Sequence, residues 1–151
     1  MLNDDEMYVT KRNGKQEIVS FDKISARIKK LGQEANIKLN YTALVMKVID
    51  QLYSGISTTK IDYLSAEQCA SMSSIHPDYN TLAGRITVSN HHKNTESSFT
   101  AVMRKLYEYR DKHNKHCPLV THDFFNIVST NSEEFDAMCD YDRDYFIEYF
   151  G

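Results

Sequence analysis

The side chains best equipped for chemistry gather early in the chain. In the stretch VTKRNGKQEIVSFDKI, residues 9–24, Lys11, Arg12 and Lys15 flank the dipeptide Asn13-Gly14, and Glu17, Asp22 and Lys23 follow. A tight turn at Asn-Gly brings the three cations together. Clustered cations beside backbone N–H groups suit a phosphate, above all where a helix N-terminus faces them. The plainer reading is a charged edge strand that blocks edge-to-edge aggregation, and on composition alone it carries more weight.

Three other groups invite a similar comparison. Thr58, Thr59 and Asp62 stand at a helix start, where Thr59 with Asp62 three residues on resembles a capping box. An ordinary cap outweighs a ligand-facing helix end on local evidence, and the two are compatible. Lys93, in SNHHKNTE, is a lone helical lysine of the kind that ordinarily faces solvent. His91-His92 and the run HNKHC at 113–117 suggest a metal. Adjacent helical histidines point about 100° apart, however, and His113, His116 and Cys117 have no matching ligand pair elsewhere, so no metal site is expected. The chain contains no GxSxG, GxGxxG or GxxxxGK[ST] motif, and its carboxylates show no acid–base spacing, so no catalytic residue is expected.

The whole-chain numbers narrow the class. With 151 residues, 41% hydrophobic and 26% charged, the composition is that of one globular domain or slightly more. Two Pro and five Gly argue against disorder, and no apolar run is long enough to span a membrane. Three cysteines (Cys69, Cys117, Cys139) and no CxxC point to reduced thiols in a cytoplasmic setting. The acidic start, MLNDDEMYV, is unlike a secretory leader. The net charge of −3 is unevenly spread: residues 11–30 hold seven Lys/Arg against Glu17 and Asp22, and residues 131–151 hold seven Asp/Glu against Arg143. A local positive patch suits a small polyanion better than a nucleic acid, which calls for a broadly basic surface.

These side chains need elements to position them. MYVTK and EIVSF around Asn-Gly predict a β-hairpin. A first helix is expected from Lys23 to about Ala35, capped by Asp22, with Ile24, Ile28 and Leu31 on one face. A second starts at Asn40 or Thr42 and carries Leu44, Val45, Val48, Ile49 and Leu52. Thr58-Thr59 opens a third, with Ile61, Leu64, Cys69 and Met72. Pro77 opens a fourth, expected to run on through Phe99 and Leu106 to about Arg110. Two short helices and an aromatic-acidic end follow. Tyr141, Tyr145, Phe146, Tyr149 and Phe150 at that end have no obvious place to be buried. The expected fold is mainly α with a small β-hairpin: a β-lid over a four-helix bundle in residues 1–95, then a helical extension in 96–151.

Four ordered motifs carry a resemblance. VTKRNGKQEIVSFDKISARIKKL, VMKVIDQLYSGISTTKIDYLSAE, HPDYNTLAGRITVSNHHK and YDRDYFIEYFG resemble the N-terminus of the large subunit of class I ribonucleoside-diphosphate reductase, of the eukaryotic and large-virus type. The first part resembles the ATP-cone, a regulatory module that binds ATP or dATP between lid and bundle. The resemblance implies that Lys11 and Arg12 contact the triphosphate, that Glu17 lies near the adenine edge, and that Lys23 is a further ligand-contacting lysine. It implies that Thr58 and Asp62 belong to the site at the third helix start, and that Lys93 reaches the phosphates from the fourth helix. Mg²⁺ would share the phosphate charge.

By the same resemblance, ATP favours an active enzyme and dATP an inhibited, cone-mediated oligomer. The partners implied are the nucleotide effector, the remainder of the large subunit and the radical-generating small subunit, with no nucleic acid and no membrane. The family's catalytic cysteines lie in its barrel and far C-terminus, and none of Cys69, Cys117 and Cys139 matches them, so the chain alone is expected to be inactive. Gly84, where the family commonly has Ala, reads as a minor departure, and His91 as a polar residue in an apolar place beside the pocket helix. A rival class is a helical interaction module that has lost its ligand and docks to a reductase barrel or another partner. The retained cations argue against it. A cone-bearing transcription regulator would carry a four-cysteine zinc ribbon ahead of the cone, and no cysteine precedes the first strand here.

Overall fold

The chain turns over Arg12-Asn13, with Gly14 in the left-handed conformation just after them, so the hairpin forms through a three-residue loop rather than a two-residue Asn-Gly turn. Gly14 takes φ +80°, its N–H donates to the Lys11 carbonyl at 2.9 Å, and the Lys11 N–H donates to the Lys15 carbonyl at 2.8 Å. This computed structural model describes residues 6–151; the acidic start read against an export leader lies largely outside the described residues. Strands β1 (Tyr8–Thr10) and β2 (Gln16–Ile18) pair antiparallel, with Val9 opposite Glu17. A third strand, β3 (Ile56–Ser57), joins β1 in parallel and gives the order β2-β1-β3. Two residues are too few to show alternation, which is why the sequence suggests only a hairpin.

Seven α-helices follow among the described residues. Helix α1 (Phe21–Gln33) is capped by Ser20, whose hydroxyl accepts from the Lys23 N–H at 3.3 Å. The expected cap, Asp22, lies instead in the first turn, where a carboxylate complements the helix dipole. Asn40 caps α2 (Tyr41–Ile49), accepting from the Ala43 N–H at 3.1 Å. Ser57 caps α3 (Thr58–Ser71), accepting from the Lys60 N–H at 3.1 Å. The capping box expected at Thr59 and Asp62 is therefore absent, and the Asp62 carboxylate is available for other partners.

The long fourth helix is two helices. Helix α4 (Asp78–Asn94) stops at Asn94, and Ser98 caps α5 (Phe99–Tyr107) by accepting from the Ala101 N–H at 3.0 Å. Asn, Ser and Thr compete with the helix for backbone hydrogen bonds, and the stretch 94–98 is rich in them. The described chain forms two compact units, one of the residues up to Asn94 with Asp144–Gly151, the other Thr95–Arg143.

The core of the first unit lies between α1, α2, α3 and α4, with Leu44, Val48, Ile56, Cys69, Leu82 and Ile86 fully buried. Burial pushes the Cys69 thiol up to about 12, so it packs as an inert hydrophobe. The aromatic-acidic end is seated on α4. Tyr149 packs against the core, Asn80 Nδ2 donates to Glu148 Oε2 at 2.8 Å, and the Arg85 guanidinium lies 4.4 Å above the Tyr145 ring. His92 Nε2 lies 2.7 Å from Asp144 Oδ2. A Cβ at Gly84 would come within 2.7 Å of the Ile147 carbonyl oxygen, so glycine here is what permits the close approach rather than a minor departure. The segment is only partly covered: Phe146 and Phe150 remain 94% and 72% exposed.

In the second unit α5 packs with α6 (His122–Thr130) and α7 (Ser132–Met138) around buried Val128. Tyr107 stacks on Phe125 with ring centres 4.3 Å apart. Asp136 accepts from the Thr100 N–H at 2.9 Å and from the Ser98 hydroxyl at 2.8 Å. His116 faces the Tyr107 carbonyl at 2.7 Å, which accounts for one member of the histidine run as a local tie. A 3-10 helix, Tyr141–Phe146, leads into the final residues.

Candidate functional site

A cavity of about 650 Å³ lies between the hairpin and helices α1, α3 and α4, within the size range of small-molecule sites. Each wall follows from local periodicity. The hairpin contributes Lys11, Arg12, Lys15 and Glu17. Lys23 and Arg27, one turn apart on α1, share a face. Thr58, Ile61, Asp62 and Ser65 recur at helical spacing on α3, and Lys93 arrives from the last turn of α4. Val9, Ile24, Ile28 and Ile61 supply an apolar surface. All seven residues singled out in the sequence (Lys11, Arg12, Glu17, Lys23, Thr58, Asp62 and Lys93) line this one cavity, and His91 does not.

The wall carries six cations, Lys11, Arg12, Lys15, Lys23, Arg27 and Lys93, against two carboxylates, Glu17 and Asp62, a formal +4. Glu17 sits between two lysines, 3.1 Å from Lys11 and paired with Lys23. Hydrogen bonds from Lys23 and then Lys11 hold its carboxyl below the usual value. Asp62, buried at 5% exposure, takes a two-pronged grip from Arg27, Nε to Oδ1 at 2.6 Å and Nη2 to Oδ2 at 2.9 Å. Arg12 Nη2 adds a third bond to Oδ2 at 2.9 Å. Thr58 Oγ1 lies 3.5 Å from Arg12 Nη1.

Lys93 is placed differently. Partial desolvation, then the charge of Arg27, lower its pKa; Arg12 and Lys30 act the same way, and Asp62 partly opposes them. Among the described residues no carboxylate lies within ion-pair distance of its ammonium. A cation held against like charges is stabilised most by an anion arriving from outside.

Three polar residues of this region are not evident from sequence: Arg27, Asn90 and Asn94. Arg27 binds Asp62, and both asparagines accept from Arg12. The available signal was spacing. Arg27 follows Lys23 by one turn, and Asn90 and Asn94 are one turn apart beside Lys93. Among the described residues, no three His, Cys, Asp or Glu side chains gather closely enough to hold a metal ion. The arrangement places a net positive charge around a hollow whose wall is partly apolar.

Comparison with known proteins agrees with this geometry. The ATP cone domain family matches residues 7–94. The chain is 43% identical over 146 residues to a ribonucleoside-diphosphate reductase large subunit of Caenorhabditis elegans, an alignment covering 95% of this chain and 18% of that protein. Against the Arabidopsis thaliana large subunit it is 44% identical over 147 residues, covering 96% and 18%. Against that of variola virus it is 40% identical over 147 residues, covering 96% and 19%. The chain thus spans under a fifth of the length of these relatives, matching their N-terminal segment.

Proposed function

The chain belongs to the ATP-cone family, and from that premise we propose that it is the nucleotide-sensing segment of a ribonucleoside-diphosphate reductase large subunit. It binds ATP and dATP reversibly as effectors and performs no chemistry itself. The observation that carries this reading is the convergence of the seven marked side chains on one cavity with a formal charge of +4. A nucleoside triphosphate, with a charge near −4, matches it in sign and size, and several cations sharing such a charge is the expected chemistry.

In this reading Lys11, Arg12 and Lys93 hold the triphosphate, Lys23 is a further ligand-contacting lysine, Glu17 lies near the adenine edge, and Thr58 and Asp62 belong to the site at the start of α3. Both carboxylates of the cavity are already in ion pairs. Mg²⁺ would therefore be held mainly by phosphate oxygens and water, as is usual for that ion.

Regulation requires ATP and dATP to favour different arrangements of the protein, since equal binding to both shifts nothing. The partners are the rest of the large subunit, the radical-generating small subunit and further copies of the cone, in the cytoplasm. The relatives, all reductase large subunits, support that setting. No helix among the described residues is long and apolar enough to cross a membrane.

Thermal unfolding tests the reading. ATP or dATP at 100-fold its dissociation constant should add about 2.7 kcal/mol of stability. Lys11→Ala should weaken binding by on the order of tenfold, the effect of losing one charge-assisted hydrogen bond. A midpoint unmoved by either nucleotide would refute it.

A further inference from the structure

Arg12 follows β1 on the hairpin, yet its guanidinium is committed to the helices. Nε donates to Asn94 Oδ1 at 2.9 Å, and Nη2 donates to Asp62 Oδ2 at 2.9 Å and to Asn90 Oδ1 at 2.6 Å. A guanidinium has five N–H donors, so only the two on Nη1 remain, and their nearest partner is Thr58 Oγ1 at the long distance of 3.5 Å. The asparagines are themselves tied together. Asn94 Nδ2 donates to Asn90 Oδ1 at 3.2 Å, and Asn94 Oδ1 also accepts from the Thr59 hydroxyl at 3.3 Å. Asn90 is 2% exposed, so its amide oxygen is a buried acceptor aimed at Arg12. On the hairpin side, β2 has a single strand neighbour, β1.

We propose that Asn90 and Asn94 are positioning residues for Arg12: they fix its guanidinium so that Arg12 latches the hairpin to α3 and α4 and offers a ligand only its Nη1 donors. A phosphate then cannot take the two-pronged Nε/Nη2 grip while the latch is closed. Arg12 therefore meets the triphosphate through Nη1 alone, while its other bonds keep the hairpin over the ligand. The asparagines are neutral, so removing one leaves the charge that steers an anion inward untouched and changes how long the anion stays. This consequence rests on the nucleotide reading above, whereas the latch itself does not.

Amide hydrogen exchange on the full chain without added nucleotide tests the latch. Asn94→Ala and Arg12→Ala should each speed exchange of the amides in residues 11–18 by on the order of tenfold, the scale of one lost charge-assisted bond. Exchange in the middle of α3 should stay as in the wild type, which separates an opened hairpin from a loosened fold. The double variant should exchange no faster than Arg12→Ala alone, and Arg12→Lys should not restore protection, because a point ammonium cannot meet three acceptors spread around a planar fork. Hairpin exchange in Asn94→Ala indistinguishable from wild type, or effects of the two substitutions that simply add, would overturn the proposal. Stopped-flow measurement with a fluorescent dATP analogue gives the second arm. Asn94→Ala should raise the dissociation rate by on the order of tenfold and leave the association rate nearly unchanged. A wild-type chain that binds no nucleotide would sink the functional reading and leave the exchange result to decide the latch. Normal nucleotide binding with an unlatched hairpin would do the reverse.

Discussion

Partial burial, and after it the charge of Arg27, hold the Lys93 ammonium below its usual 10.5, with Arg12 and Lys30 adding to the effect and Asp62 opposing it. The folded-state pKa is lowered, so the charged lysine disfavours folding. That penalty is full at neutral pH, lifts as pH rises through the lowered value, and is gone above 10.5. Lys93→Gln should therefore raise the unfolding midpoint of the chain measured without nucleotide. It should also weaken dATP binding by on the order of tenfold, since a charge-assisted bond to phosphate is lost. Melting curves with and without dATP read both effects. A midpoint that falls on substitution would mean the ammonium is held by the protein itself and not reserved for a ligand. Asp62 is the contrasting residue: its carboxylate is buried, but it receives Arg27 and Arg12 together, so its charge is met from within the fold.

At the scale of elements, α4 has two working faces. Asn90, Lys93 and Asn94 serve the cavity side, while Asn80, Gly84, Arg85 and His92 receive the chain's last residues. Gly84→Ala should push Ile147–Tyr149 off the helix at a cost of about 1–3 kcal/mol, the usual range for overpacking. Limited proteolysis after residue 143 should speed up, and dATP affinity should hold; unchanged proteolysis would show that the backbone absorbs a methyl group there. In the second unit, hydrogen bonds from the Thr100 N–H and then the Ser98 hydroxyl hold the Asp136 carboxyl below its usual 3.8. The stabilisation is present above 3.8 and is lost as pH falls through the depressed value. Asp136→Asn should flatten that acid limb in a pH series of melting curves. Elements marked by local chemistry were legible: Asn-Gly located the turn, and Leu44, Val48, Leu82 and Ile86 gave the buried faces. Helix ends were less so, because Ser57, Thr58 and Thr59 are equivalent candidates for a cap until tertiary contacts choose one, and residues 94–98 interrupt a pattern that stays apolar on both sides. The two-residue β3 has no periodicity to read. Arg27, Asn90 and Asn94 acquire their roles only from partners 35 to 82 residues away in sequence.

Over the whole molecule, the uneven charge of the sequence becomes a division of labour. The basic stretch 11–30 supplies Lys11, Arg12, Lys15, Lys23 and Arg27 to one cavity, and the acidic end supplies Asp144 and Glu148 to His92 and Asn80 of α4. A net charge of −3 therefore conceals a hollow of formal charge +4, which the proposed reading fills with a polyanion. Steering of that anion depends on charges near the surface and should weaken with added salt, since screening reaches about 8 Å at physiological ionic strength. Titration calorimetry of the full chain with dATP and ATP tests the account most directly. It predicts saturable heat for both nucleotides, at one per chain, with affinity lowered on the order of tenfold by Lys11→Ala. Heats no greater than dilution for both nucleotides, or binding indifferent to Lys11→Ala, would contradict it.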